Sequence, residues 1–164
     1  MAVKGTVHVV DDDASVRRGL GRLIKAHGYD THVFASAREF LAKGLPSDNS
    51  CLIVDVLMPD MGGLQLQEEL TRLGCSAPVI FVTALHDPHI QERAKLVGAV
   101  GFYQKPVDGD ALLDAVKWAL TGDPKPELGM RKLKRPKPCC ARRSVFAEAG
   151  ACRRAGTGNE EKPD

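Results

Sequence analysis

Five short runs of β-forming apolar residues occur in the first part of the chain, and a segment with helical spacing follows each of them. The runs occupy residues 6–10, 31–34, 51–54, 79–82 and 100–103. Strands that alternate with helices in this way form parallel sheets covered by helices on both faces. Most of the runs are continuously apolar, which is typical of strands buried on both sides. We therefore predict an α/β fold with a doubly wound, five-stranded parallel sheet.

Polar and glycine residues mark the ends of the predicted helices. Asp13 is expected to cap the first helix, Ser36 forms a capping-box pattern with Glu39, and Asp87 precedes Pro88 as an N-cap before a first-turn proline. A glycine follows each helical segment, as left-handed C-terminal caps require. These glycines are Gly28, Gly44, Gly74, Gly98 and Gly122.

Composition changes near Gly122 and predicts a domain boundary there. Residues 1–122 hold 12 Lys or Arg against 15 Asp or Glu, whereas residues 123–164 hold 11 against 6. The second segment contains a basic cluster and few large apolar residues, so we predict a folded domain over 1–122 and a largely disordered tail over 123–164. We interpret the cluster as a solvated linker, the alternative being nonspecific binding to nucleic acid phosphates or to an acidic partner. It comprises Arg131, Lys132, Lys134, Arg135 and Lys137.

Several classes of protein are excluded by composition and patterning. No apolar stretch approaches the roughly 20 residues that span a bilayer, and the apolar run at 7–10 is too short for a secretory signal. The five cysteines lack the spacing of a zinc site. We expect a cytoplasmic protein in which Cys51 and Cys75 are reduced.

The polar residues that directly follow the strands indicate the chemistry. Asp11 and Asp12 follow the first strand, Asp55 the third, Thr83 the fourth, and Lys105 comes just after the fifth. Ligands of open parallel sheets bind at the carboxyl ends of the strands, so these side chains are expected to converge. Three carboxylates in one pocket need a neutralising cation, and their hard oxygen ligands favour Mg²⁺. An aspartate carboxylate is also a nucleophile for phosphoryl transfer, with a lysine and a hydroxyl available to hold phosphoryl oxygens.

These residues lie in segments that resemble the receiver domain of two-component response regulators. The matching motifs occupy residues 9–13, 54–63, 78–84 and 98–106, and the likeness covers residues 5 to 120. Residues 35–41 are similar to receivers of the nitrogen-fixation regulator branch. The resemblance implies a flavodoxin-like fold with strand order 2-1-3-4-5, which is an example of doubly wound topology.

The resemblance also implies a role for each site residue. The phosphoacceptor would be Asp55, and the Lys105–Pro106 peptide bond would be cis. The metal would be held by Asp11, Asp12, Asp55 and the backbone carbonyl of Leu57, while Thr83 and Phe102 would form the switch pair and Lys105 would contact the phosphoryl group.

Partners follow from the same resemblance. The phosphodonor would be a sensor histidine kinase, and phosphorylation would switch an interaction face in signalling linked to transcription. A phosphorylation-dependent homodimer would form through the face of the fourth helix, fifth strand and fifth helix. The chain would be a phosphoacceptor that assists its own modification, not an enzyme with an external substrate. Since Leu57 is apolar, we expect slow self-dephosphorylation.

The tail departs from the family branch, in which a helix-turn-helix output domain follows the receiver. Residues 123–164 lack such a pattern, which argues against direct sequence-specific DNA binding. A stand-alone receiver with a disordered end and a truncated or frame-shifted gene are both compatible with this tail.

Two other functions are compatible with some of these residues. A haloacid-dehalogenase-type phosphatase would use Asp11 and Asp13, with Thr83 and Lys105, but would leave Asp55 without a role. A non-phosphorylatable interaction module would not need the complete set of site residues.

Overall fold

A computed structural model of the chain describes residues 4–122, and in these residues strands and helices alternate five times. The predicted tail, residues 123–164, lies outside the described residues. Each observed strand begins and ends within one residue of its predicted bounds. The elements are β1 (Thr6–Val10), α1 (Ala14–Ala26), β2 (Asp30–Phe34), α2 (Ala37–Lys43), β3 (Ser50–Asp55), α3 (Gly63–Arg72), β4 (Val79–Thr83), α4 (Pro88–Leu96), β5 (Gly101–Gln104) and α5 (Gly109–Thr121).

The five strands form one parallel sheet in the order β2-β1-β3-β4-β5, which confirms the predicted topology. The order reverses between β1 and β3, so the crevice typical of a doubly wound sheet lies at their carboxyl ends. All residues of β3 and β4 are buried, whereas the edge strand β2 is mostly exposed. The sequence shows the same gradient, because β3 and β4 contain the continuously apolar runs.

Two hydrophobic clusters cover the two faces of the sheet. One contains Phe40, Leu66 and Phe81 together with residues of α2, α3 and α4. The other contains Ile24 and Leu112 and joins α1 and α5 to the opposite face. Residues alternate between the two clusters along the central strands, as the period of a strand requires. The sheet is therefore fixed from both sides, and the loops at its ends extend from a rigid base.

The predicted caps are confirmed for α1, α2 and α4. Asp13 accepts hydrogen bonds from the first turn of α1, Ser36 accepts the Glu39 N–H, and Asp87 accepts the His89 N–H ahead of α4. Glu39 reaches back to the Ala35 N–H, one residue before the helix cap. The five glycines expected after the helices all have positive φ. Among the described residues, none of the helices has the length and hydropathy needed to cross a membrane.

His8 is a buried polar side chain that packs against aromatic rings instead of forming hydrogen bonds with other described residues. The ring of His8, on β1, stacks on that of His32 with centroids 5.6 Å apart, and it meets Phe40 edge-on at 5.5 Å. Both ring nitrogens of His8 are buried, and neither is hydrogen-bonded to another described residue. Burial, followed by the nearby His32, lowers the pKa of His8, although Asp30 acts in the opposite direction. The fold therefore favours the neutral form of this histidine.

The free energy of unfolding should consequently fall on mild acidification. Because the folded-state pKa of His8 lies below its unfolded value of 6.5, the unfolded chain binds more protons as the pH drops through that value. We predict that His8→Phe retains the ring contacts and reduces the loss of stability between about pH 7.5 and about pH 5.5, as measured by urea unfolding. The exposed His89→Phe on α4 is the matched control. An unchanged pH dependence in His8→Phe would show that other groups cause it.

Candidate functional site

The polarity of the sheet brings the polar residues that follow the strands to one edge. Val10 of β1 lies beside Val54 of β3, and Asp55 lies beside Val82 of β4. Asp11 thus emerges at the level of Asp55, and Lys105 follows β5 at the same edge. Parallel pairing alone is sufficient for this convergence, which the sequence predicted.

Three carboxylates meet at this edge. One oxygen each of Asp11, Asp12 and Asp55 lies within 4.8 Å of the others. Asp11 is 2% exposed and Asp55 6%, whereas Asp12 is exposed to solvent. A set of hard oxygen donors with one side open to water fits Mg²⁺, which uses a few carboxylates and retains several waters.

The ammonium group of Lys105 bridges two of the carboxylates. Its Nζ donates to Asp11 Oδ2 and to Asp55 Oδ2, each at 2.8 Å. Burial by itself would lower the pKa of Lys105, but the two carboxylates outweigh burial and raise it. For Asp11 burial is the larger effect and raises the pKa, while the bond from Lys105 and other contacts lower it. Lys105 is therefore held charged and compensates part of the negative charge.

The second oxygen of each buried carboxylate is held by the backbone. Asp11 Oδ1 accepts the Asp13 N–H at 2.8 Å, and Asp55 Oδ1 accepts the Leu57 N–H at 3.0 Å. Each acid thus makes the same pair of contacts, one to a main-chain N–H two residues ahead and one to Lys105. Charge-assisted bonds of this kind fix the orientation of a carboxylate before any ligand arrives. The proposed metal contact of the Leu57 carbonyl stays a prediction.

The expected switch residues lie on neighbouring strands. Thr83, fully buried at the end of β4, accepts the Leu85 N–H through its hydroxyl oxygen at 3.1 Å. Its carbonyl accepts the Lys105 N–H at 2.8 Å, so the hydroxyl and the lysine are on directly connected backbone segments. Phe102 pairs with Phe81, two residues before Thr83, and packs half-buried against the hydrophobic cluster of that face. The Lys105–Pro106 bond is cis, as expected.

Asp13 does not belong to the site. Its carboxylate caps α1 by accepting the N–H groups of Ser15 and Val16, and it lies outside the carboxylate group. The phosphatase alternative required Asp13 as one of its two leading acids. The structure instead gives Asp55 the central position that this alternative left unexplained.

Two residues that shape the site were missed at the sequence level. Gly63, noted above only as part of the matching motif over residues 54–63, begins α3 so close to β3 that a Cβ would overlap with the Asp55 carbonyl oxygen. Arg17, on α1, donates from Nη1 to the carbonyl oxygens of Asp11 and Asp12. The glycine pair at 62–63 was a signal for close backbone approach. Nothing distinguishes Arg17 from its neighbour Arg18 in the sequence.

Comparison with known proteins yields a single family. Residues 7–117 match the model of the response regulator receiver domain. Nodulation protein W of Bradyrhizobium diazoefficiens is 43% identical over 124 residues, which are 76% of this chain and 55% of that protein. The transcriptional regulatory protein FixJ of Azorhizobium caulinodans is 39% identical over 114 residues, 70% of this chain and 54% of that protein. The chain thus spans about half the length of the curated relatives it matches.

Solved structures give the same result. The response regulator StyR is 42% identical to this chain and superposes with a TM-score of 0.67. The alignment covers 72% of this chain and 60% of the StyR chain. FixJ-N, known from a crystal structure, is 34% identical to this chain and superposes with a TM-score of 0.66. The alignment covers 70% of this chain and 92% of FixJ-N. The similarity to FixJ and FixJ-N agrees with the predicted nitrogen-fixation-regulator-like branch.

The contact between Gly63 and the end of β3 can be tested by adding one methyl group. We predict that Gly63→Ala lowers the free energy of unfolding by about 1–3 kcal/mol, because backbone must shift to admit the methyl group. The shift would also displace Asp55, so Mg²⁺ binding should weaken. Urea unfolding and calorimetric titration measure the two effects.

Gly19→Ala is the matched control for this substitution. Gly19 lies on the exposed side of α1, and a Cβ there meets no other atom within 4 Å. This change should be neutral or stabilise the helix by up to about 1 kcal/mol. Equal effects of the two alanines on stability and on Mg²⁺ binding would contradict the role given to Gly63.

Proposed function

This chain belongs to the response regulator receiver domain family, and on that basis we propose that it accepts a phosphoryl group on Asp55 in two-component signalling. The observation that carries the proposal is the position of the Asp55 carboxylate, buried beside two other acids and bonded to a charged lysine. A structural aspartate would not need such a set of neighbours. The phosphodonor we propose is a phosphohistidine on a sensor kinase.

In the proposed transfer, a carboxylate oxygen of Asp55 attacks phosphorus. A P–O bond forms as the P–N bond of the donor breaks, and the leaving imidazole keeps the electron pair and takes up a proton. Mg²⁺ held by Asp11, Asp12 and Asp55, with the Leu57 carbonyl as a further ligand, would supply the positive charge that offsets the repulsion between these acids and the phosphoryl group. The chain's own task is to position the acceptor, which the Leu57 N–H does by holding one of its oxygens.

Lys105 and Thr83 would bind the oxygens of the new phosphoryl group. The Lys105 ammonium already contacts Asp55 and would exchange a carboxylate oxygen for a phosphoryl oxygen. The Thr83 hydroxyl accepts a hydrogen bond from Leu85 and donates none to another described residue, so its proton is available. Phosphorylation adds about −1.5 to −2 charges and three acceptor oxygens, which would draw both groups inward. Phe102 would then turn toward the space that Thr83 leaves.

The proposed output is a change in the surface formed by α4, β5 and α5. Leu96, at the end of α4, is 85% exposed, which suits a face that is covered in a complex. We propose that a phosphorylation-dependent homodimer forms there. The names of relatives such as the transcriptional regulatory proteins TdiR and FixJ support a link to transcription. We propose a phosphoacceptor without an external substrate, and no sequence-specific DNA binding by residues 4–122.

The phosphoacceptor assignment can be tested with a small phosphodonor. We predict that the wild-type chain gains a hydroxylamine-labile phosphoryl group from acetyl phosphate and Mg²⁺, and that Asp55→Asn gains none. Intact-mass spectrometry measures the modification. Asp60→Asn is the matched control, because Asp60 is exposed in the following loop and its positive φ of 65° is one that asparagine tolerates. Modification of Asp55→Asn at the wild-type level would remove Asp55 from its role.

The lifetime of the phosphoryl group depends on the side chains near it. Leu57 and Leu85 are 46% and 42% exposed and follow Asp55 and Thr83 by two residues. Neither side chain can hydrogen-bond an attacking water, so we predict a lifetime of minutes or longer after the donor is removed. Leu57→Asn should shorten it, whereas Leu45→Asn, at an equally exposed position in the α2–β3 loop, should not. A wild-type half-life of seconds would contradict this expectation.

A further inference from the structure

The loop between β1 and α1 carries two of the three acids, and an arginine from the next helix holds its backbone. Arg17 is half-buried, and its Nη1 donates to the carbonyl oxygen of Asp11 at 2.6 Å and to that of Asp12 at 3.2 Å. We infer that Arg17 is a positioning residue that keeps Asp11 and Asp12 in the arrangement that binds a divalent cation. The inference deepens the proposed function and rests on it.

The two carbonyl groups lie where the regular hydrogen bonds of the fold are interrupted. Beyond the end of β1, the Asp11 N–H still donates to the Phe34 carbonyl of β2. The Asp13 carbonyl accepts the Arg17 N–H, which is the first hydrogen bond of α1. The carbonyl groups of Asp11 and Asp12 lie between these points. A single guanidinium satisfies both, and its planar set of donors suits this task. Removing it would leave the backbone of the loop free to turn.

Asp12 depends on this contact more than Asp11 does. The side chain of Asp11 is fixed from two sides, by the Asp13 N–H and by Lys105. Among residues 4–122, no hydrogen bond or ion pair holds the carboxylate of Asp12, which is exposed. Its direction is therefore set by its backbone, and Arg17 bonds the Asp12 carbonyl. In metal sites, partners that orient the ligands commonly contribute a factor of about 10–100 in affinity.

The charge of Arg17 and its role in holding the loop predict opposite effects on the affinity for Mg²⁺. Arg17 is a cation close to a proposed cation site, so its charge alone weakens Mg²⁺ binding, and its removal should strengthen it. If Arg17 acts by holding the loop, removing it weakens Mg²⁺ binding instead. Arg18 is the matched control, because it is exposed on the same helix, is one residue further along, and carries the same charge.

The experiment is a calorimetric titration of the full chain with MgCl₂, without a phosphodonor. We expect Arg17→Ala to raise the Mg²⁺ dissociation constant about tenfold, and Arg18→Ala to leave it unchanged or lower it. Arg17→Lys keeps the charge but not the planar donors, so it should fall between the wild type and Arg17→Ala. If Arg17→Ala binds Mg²⁺ as tightly as the wild type, or more tightly, the inference is wrong even though the proposed function stands. A wild-type chain that binds no Mg²⁺ would overturn both.

A readout on the metal-free protein separates loop order from a general loss of stability. The Asp13 N–H is bonded to Asp11 Oδ1 and should exchange slowly with solvent deuterium. We expect faster exchange at Asp13 in Arg17→Ala and Arg17→Lys, with unchanged protection in the central strands β3 and β4. Uniformly faster exchange throughout both variants would assign Arg17 a structural role only and overturn the inference.

Discussion

The ammonium group of Lys105 lies between two almost fully buried carboxylates, and the other residues of the site are arranged around that contact. Asp11 and Asp55 each lie 2.8 Å from Lys105 Nζ, and the side chains of the two acids are 2% and 7% exposed. Unpaired charges at such depth cost several kcal/mol each, so the fold tolerates them only because every oxygen has a donor. Lys105 is ion-paired with two of the three carboxylates and does not pair with Asp12, so a divalent cation at the group would add the positive charge that the third acid lacks.

The cluster forms at the carboxyl ends of the strands, where doubly wound sheets bind their ligands. In a parallel sheet all carboxyl ends point the same way, so loops from four strands reach a single crevice without long excursions. As a result, the backbone behind the acids is crowded. Gly63 resolves this crowding by letting α3 start against the carbonyl of Asp55, and the Gly63 N–H bonds the Val56 carbonyl at 3.0 Å. The position of Asp55, the proposed phosphoacceptor, is thus coupled to the packing of α3.

Features with a regular period or a short-range cause were predictable from the sequence. The strands, the caps at Asp13 and Asp87, and the convergence of Asp11, Asp55 and Lys105 follow from patterns of a few residues combined with the direction of the strands. The roles of Arg17 and His8 were not predictable, because they depend on which of two adjacent arginines turns inward and on which strand residues pair across β1 and β2. His8 and His32, for example, have no distinguishing spacing in the sequence, yet their rings stack in register across β1 and β2. Side-chain partners at this level are decided by packing, which a period in the sequence does not specify.

The free-energy cost of the proposed movement of α4 depends on the contacts that hold this helix. The buried Gln67 of α3 donates from Nε2 to the Val97 carbonyl at the end of α4 at 3.2 Å, and its Oε1 has no partner among the described residues. The salt bridge between Arg93 of α4 and Glu68 of α3, at 3.5 Å, is exposed to solvent and contributes little to holding the two helices together. Moving α4 relative to α3 would break this buried hydrogen bond from Gln67, a cost of order 1 kcal/mol net, and any movement that exposes Ala94 would add the loss of its core packing. A phosphoryl group can shift an equilibrium only by its differential contacts with the two states. The Thr83 hydroxyl would gain a charge-assisted hydrogen bond of about 1.5–3 kcal/mol, whereas Lys105 would exchange one charged acceptor for another, so the net gain exceeds the loss of the Gln67 hydrogen bond. A phosphoryl group at Asp55 would therefore favour a second arrangement of the α4 surface in which the core packing of Ala94 is retained.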